Sequence, residues 1–97
     1  MSVALVGGLD RLKRQYESAA QQYGVTLKIF NGKETGLGEK MGNSEMVILL
    51  TAMVSHSARL EVMHHGRSVG MPVVFLHSCG VSGLRRQLAG FQSAAKA

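Results

Sequence analysis

The sequence predicts a small α/β domain in which a four-stranded parallel sheet, with strand order 2-1-3-4, carries helices on both faces. Two observations predict it. Four short apolar runs are bounded by glycine or polar turn residues, and the segments between them place apolar residues at helical spacing. The chain has 97 residues, which is room for one hydrophobic core, so we expect a single domain over residues 1–97. Its 45% hydrophobic and 18% charged content fits a sheet covered on both sides.

The first part of the chain predicts two strands joined by a helix. Residues 3–7 (VALVG) form a β-branched apolar run that is typical of a buried strand. A helix follows, ended by Gly24, because apolar and aromatic positions recur on one helical face. Residues 25–30 (VTLKIF) alternate in polarity, which predicts a strand near the sheet edge. The positions on the helical face are Leu9, Leu12, Tyr16, Ala19, Ala20 and Tyr23.

The second part predicts the remaining strands. Residues 31–42 are rich in glycine and indicate a flexible connection with at most a short helical turn. Residues 45–53 (EMVILLTAM) are apolar on both faces, so this strand should be central. A helix over 57–69 ends at Gly70 and Pro72, and residues 72–77 (PVVFLH) form the fourth strand. The apolar stripe of the last helix consists of Val81, Leu84, Leu88 and Phe91.

Four strands joined by right-handed crossovers give a Rossmann-like or flavodoxin-like sandwich, whose ligand crevice lies at the carboxyl ends of the strands. Here the strand order reverses between the first and third strands. Helix N-termini that begin at these turns favour phosphate or carboxylate, which predicts a phosphorylated or nucleotide-like anionic ligand and a regulatory or sensing role. The residues expected to bind it are Gly7, Gly8, Thr51, Ser55, His56, Ser57, His77, Ser78 and Ser82.

An enzyme is the alternative from a different class, with His56 as acid or base and Ser55 or Cys79 nearby. Ser55 or Ser57 is more readily explained as a helix N-cap than as a nucleophile. No metal site is favoured, because His77 and Cys79 do not have a specific zinc spacing, although with His56 they would be the ligands of such a site. The sequence has neither a dinucleotide fingerprint nor a P-loop, so no cofactor is identified.

The formal net charge is +5, and no acidic side chain follows Glu61. A second alternative is therefore duplex nucleic-acid binding through Arg85, Arg86 and Lys96. A single cysteine, and a start that does not resemble a secretory signal, indicate a cytoplasmic protein, and no apolar run is long enough to span a membrane. A small core with two open sheet edges predicts a homodimer, formed through the fourth strand and the last helix.

Three segments of the sequence resemble the bacterial family DUF2325, a domain of unknown function. They are "VALVGG" from residue 3, "VILLTAMVSHS" from residue 47 and "GMPVVFLHSCGVSGLRRQL" from residue 70. The resemblance covers nearly the whole chain and implies the α/β fold and the importance of Ser55 and His56, but no established reaction. Members often have cysteine where this chain has Met53, and histidine after the second strand, where it has residues 30–32 (FNG). These departures count against a metal or redox role here.

Overall fold

The computed structural model describes residues 2–33, 36–42, 44–77 and 80–96, with residues 91–96 described by their backbone alone. In this part of the chain, four parallel strands form one sheet in the order β2-β1-β3-β4. The predicted fold class and strand order are therefore confirmed. The strands are β1 (Ser2–Val6), β2 (Thr26–Phe30), β3 (Met46–Leu50) and β4 (Val73–Leu76). The helices are α1 (Lys13–Gln22), α2 (Leu37–Met41), α3 (His56–Val69) and α4 (Val81–Lys96).

The helices cover both faces of the sheet. Helices α1 and α4 pack side by side on one face, and α2 and α3 pack together on the other. Because side chains alternate along a strand, Leu5 and Ile48 join the cluster under α1 and α4, whereas Val6 and Leu49 join the cluster under α2 and α3. Strands β1 and β3 are thus buried on both sides, as the apolar runs predict.

Several boundaries differ from the sequence-based expectation. The predicted strand over 45–53 ends at Leu50, because Thr51–Met53 form a 3₁₀ turn that leaves the sheet and leads toward α3. Helix α3 begins one residue earlier than predicted, at His56, since Ser55 supplies its N-cap. The short turn expected in the glycine-rich connection is helix α2, which is held by the buried side chains Leu37 and Met41.

The two edge strands, β2 and β4, differ in how far their side chains are buried. Strand β2 alternates between exposed and partly buried residues, as expected of an edge. Strand β4 is the other edge, and Phe75 remains 46% exposed. The apolar stripe of α4 packs within the domain, because Leu84 and Leu88 are buried against the sheet. The Phe91 side chain lies outside the described part of the structure. Among the described residues, no helix combines the length and apolar character needed to span a membrane.

Candidate functional site

A shallow depression lies over the carboxyl ends of β1 and β2, beside the point where the strand order reverses. Because β1 lies between β2 and β3, its end is flanked by the turns that follow both neighbours. The volume of the depression is about 250 Å³. It is lined by Gly7, Gly8, Leu9, Asp10, Asn31, Gly32, Lys33 and Met53. We call it the switch-point depression.

Two glycines allow the turns around this depression to pack closely. Gly7 has a φ of +95°, a conformation that favours glycine, and a Cβ there would lie 2.9 Å from the carbonyl oxygen of Leu50. A Cβ on Gly32 would overlap the carbonyl oxygen of Met53. The lining is therefore partly bare backbone, which is how proteins bring main-chain groups close to a ligand.

Three backbone donors at the depression already have partners. The N–H of Gly7 donates to the carbonyl of Phe30 at 3.0 Å, and the N–H of Leu9 donates to the Tyr16 hydroxyl at 3.2 Å. The N–H of Lys33 donates to the side-chain oxygen of Asn31 at 2.8 Å. Within the part of the chain that the structure describes, the N–H of Gly8 has no such partner. The N–H groups of Asp10 and Gly32 likewise have no partner among the described residues, so these amides and that of Gly8 are available to a ligand.

The charged side chains at the depression have opposite signs. Lys33 brings an exposed ammonium group and Asp10 an exposed carboxylate. An ammonium group binds phosphate oxygens, whereas a carboxylate accepts hydrogen bonds from hydroxyl groups. The lining therefore offers one cation and one anion to hydrogen-bonding groups.

Two of the predicted hydroxyl residues, Ser55 and Thr51, have structural partners. The Ser55 hydroxyl accepts a hydrogen bond from the N–H of Ala58 at 3.1 Å, which makes Ser55 the N-cap of α3. The Thr51 hydroxyl donates to the carbonyl of Leu76 at 3.4 Å and so faces β4. Ser57 is exposed on the first turn of α3, and Ser82 lies in a separate groove between α1 and α4. None of these four lines the depression.

The predicted histidines lie at the rims of the same end of the sheet. His56 is the first residue of α3 and is exposed, and its ring makes no hydrogen bond to any described residue. His77 follows β4 and is also exposed. Ser78 and Cys79 lie outside the described residues. Of the predicted binding residues that the structure describes, only Gly7 and Gly8 line the depression.

Metal ligands do not converge in the described structure. Over residues 2–33, 36–42, 44–77 and 80–96, no three His, Cys, Asp or Glu side chains come together closely enough to hold a metal ion. The proposed ligand set of His56, His77 and Cys79 includes one residue outside these ranges. That ligand set stays a prediction.

One comparison with known proteins gives a match. The family model described as "Uncharacterized protein conserved in bacteria (DUF2325)" matches residues 2–91. The chain belongs to this family. The match includes all four strands and most of α4, so it confirms the resemblance seen in the sequence. No curated protein and no solved structure matches the chain. The site of this DUF2325 domain must therefore be interpreted from its own residues.

Sequence reasoning missed the residues that the turn after β2 contributes. Asn31, Gly32 and Lys33 line the depression of this DUF2325 domain, whereas the sequence pattern of residues 31–42 predicts a flexible connection and no binding residue. The predicted strand order was the signal that could have revealed these residues. Since the predicted order places β2 beside β1, the Asn-Gly-Lys turn after β2 must meet the Gly-Gly turn after β1.

Proposed function

We propose that the domain binds a phosphorylated, nucleotide-like anion in the switch-point depression and works as a cytoplasmic regulatory or sensing module. The observation that carries this proposal is that Gly8, whose N–H has no partner among the described residues, lies in the same lining as Lys33. A backbone N–H and an ammonium group together favour a phosphate oxygen.

The rest of the lining fits the remainder of such a ligand. Asp10 supplies a carboxylate for sugar hydroxyl groups, and Leu9 and Met53 supply apolar surface. A volume of about 250 Å³ is below the range of about 300–1,000 Å³ typical of pockets that enclose a whole small molecule. The phosphate and sugar therefore occupy the depression, and the base extends over its rim toward the start of α3, where His56 is exposed.

The enzymatic alternative assigns acid–base chemistry to His56 with Ser55 or Cys79 nearby. Two observations favour binding over catalysis. The Ser55 hydroxyl already accepts the capping hydrogen bond, and the His56 ring has no orienting partner among the described residues. A general base usually needs such a partner to fix its tautomer and direction.

Thermal unfolding in the presence of AMP, ADP, ATP and inorganic phosphate tests the proposal. A ligand at about 100 times its dissociation constant should stabilise the protein by roughly 2.7 kcal/mol. Lys33→Ala should reduce this stabilisation. The matched control is Lys28→Ala, which removes an exposed lysine of β2 that lies outside the depression. This variant should leave the stabilisation by the ligand unchanged.

Two results would overturn the proposal. One is the absence of any stabilisation by all four compounds at millimolar concentration. The other is an equal loss in Lys33→Ala and Lys28→Ala, because it would trace the effect to net charge rather than to the depression.

We further propose that the protein is a homodimer and that the edge of β4 forms the contact. The last helix, predicted as part of the interface, already buries Leu84 and Leu88 within its own protomer. Strand β4 is apolar throughout, lies at the sheet edge and leaves Phe75 exposed. Such an edge is a template for pairing with another strand. The nucleic-acid alternative concerns a different surface, on α1 and α4.

A further inference from the structure

A groove separates α1 from α4 on the face of the sheet that these two helices cover. Its volume is about 300 Å³, and it is lined by Gln15, Ser18, Val81, Ser82 and Arg85. No acidic side chain is among these lining residues. We call it the α1–α4 groove. It shares no residue with the switch-point depression.

Positive charge extends from this groove along both helices. Arg85 and Arg86 are exposed on α4, Lys13 and Arg14 are exposed at the start of α1, and Arg11 is exposed in the 3₁₀ turn just before it. A second shallow depression, lined by residues 10, 11, 13, 14, 15 and 17, shares Gln15 with the groove. The two hollows are therefore neighbours along α1, and Asp10 and Glu17 line the second one.

The acidic residues near this surface do not reach the groove. Glu17 also lines a hollow with Gln21 and Thr26, which places it on the β2 side of α1, away from α4. Asp10 also lines the switch-point depression. Helix α4 has no acidic residue from Val81 to Lys96. The α1–α4 groove itself thus presents one cation, Arg85, and neutral hydrogen-bonding groups, and the second hollow beside it presents three cations and two carboxylates.

We propose that the α1–α4 groove binds the phosphodiester backbone of double-stranded nucleic acid. Guanidinium groups such as those of Arg14 and Arg85 bind phosphates through paired N–H donors, and the Ser82 hydroxyl and Gln15 amide are common phosphate contacts. Packed helices lie about 8–10 Å apart, which is comparable with the groove widths of about 6–12 Å in a DNA duplex. In this proposal Arg85, in the lining of the groove, and Arg14, in the neighbouring hollow, contact phosphates on opposite sides of one duplex groove.

A duplex fits this surface better than a single strand. Proteins that bind single strands stack the bases on exposed aromatic rings. On the described side chains of α1 and α4, the aromatic residue is Tyr16, and it is fully buried. Contacts to the backbone alone give binding that depends little on base sequence and strongly on salt.

Fluorescence anisotropy with the full chain tests the proposal. The probes are a DNA duplex of about 20 base pairs, an RNA duplex and a single strand of the same sequence, each measured between about 50 and 200 mM salt. The double variant Arg14→Ala/Arg85→Ala should weaken duplex binding by one to two orders of magnitude near 0.1 M salt and reduce the salt slope by about 2. The DNA and RNA duplexes show which of the two the surface prefers, and tight binding of either supports it.

The matched control is Arg59→Ala/Arg67→Ala. It removes two exposed arginines from α3, on the opposite face of the sheet, and so changes the net charge by the same amount. This variant should bind duplexes like the parent protein. An equal loss in both double variants, tighter binding of the single strand, or no duplex binding at low salt would overturn the proposal. Stabilisation by nucleotides should be unchanged in Arg14→Ala/Arg85→Ala, which separates this surface from the switch-point depression.

Discussion

The backbone N–H of Ser55 donates a hydrogen bond to the carbonyl oxygen of Gly32 at 2.8 Å. This bond joins the turn after β3 to the turn after β2, and it passes over the end of β1, which lies between those strands. Ser55 also caps α3 through its hydroxyl. One residue thus fixes both the start of α3 and one wall of the switch-point depression.

The capping role of Ser55 predicts the effect of its replacement. Ser55→Ala leaves the N–H of Ala58 without its partner and should lower the free energy of unfolding by about 1 kcal/mol, whereas Ser55→Asp should retain most of the stability. Ser57→Ala is the control, because Ser57 is exposed and does not cap the helix; it should change stability by less than about 0.5 kcal/mol. Urea denaturation measures all three. Equal effects at the two serines would contradict the assignment of Ser55 as the cap.

Gly32 should tolerate no side chain. A Cβ there overlaps the Met53 carbonyl oxygen, which belongs to the backbone and cannot rotate away, so Gly32→Ala should cost about 2 kcal/mol or more. Gly90→Ala is the opposite case, since a Cβ at this exposed position in α4 meets nothing within 4 Å. It should stabilise the protein by about 0.5–1 kcal/mol. Thermal and urea unfolding give both values, and a neutral Gly32→Ala would show that the two turns do not pack closely in solution.

The strands and helices were predictable because each leaves a local pattern in the chain. Residues 46–50 are all apolar, and β3 is buried along its whole length. Gly24 and Gly70 have positive φ angles at the ends of α1 and α3, as their positions in the sequence indicate. Periodicity and helix stop signals therefore placed the sheet correctly.

The fine geometry of the site was not predictable in the same way. Whether a hydroxyl faces a ligand or the backbone depends on contacts between distant segments, such as Thr51 with Leu76. The role of Gly32 likewise depends on Met53, which approaches it only in the folded chain. Sequence patterns indicate which residues reach this end of the sheet, but they do not show which of those residues already have partners.

Helix α2 should depend on one carboxylate from α3. The N–H of Leu37 donates to Glu61 Oε2 at 2.9 Å, and a helix of five residues is not stable alone. Glu61→Ala should therefore cost about 1.5–3 kcal/mol and should speed amide hydrogen exchange at Leu37. Glu39→Ala, at an exposed position of α2 itself, is the control and should have a small effect. Unchanged exchange at Leu37 in Glu61→Ala would show that this contact does not hold α2.

His56 offers a test of whether the ligand extends beyond the depression. Because the side chain is exposed and has no partner among the described residues, His56→Ala should leave the melting temperature of the ligand-free protein nearly unchanged. In the proposed complex the base contacts His56 at the start of α3, so the variant should reduce the stabilisation by a bound nucleotide. Inorganic phosphate is the matched probe, because it lacks the base. Equal nucleotide stabilisation in the variant and the parent would exclude His56 from the site.

The proposed dimer predicts the effect of placing a charge on the β4 edge. Phe75 is 46% exposed, and the Arg59 guanidinium lies 5.4 Å from the centre of its ring. Two copies that pair along β4 about a two-fold axis would cover this edge in both protomers and extend the sheet across the interface. Light scattering at micromolar concentration should then give twice the chain mass of 10.4 kDa.

Phe75→Asp should return the mass to 10.4 kDa while the far-UV circular dichroism is retained, because the side chain is largely outside the core. Phe91→Asp tests the interface on α4 that the sequence predicted. Since Leu84 and Leu88 of that helix are already buried within the protomer, this second variant should remain dimeric if β4 alone forms the contact. A parent protein of 10.4 kDa would exclude the dimer, and loss of the dimer in Phe91→Asp but not in Phe75→Asp would move the interface from β4 to α4.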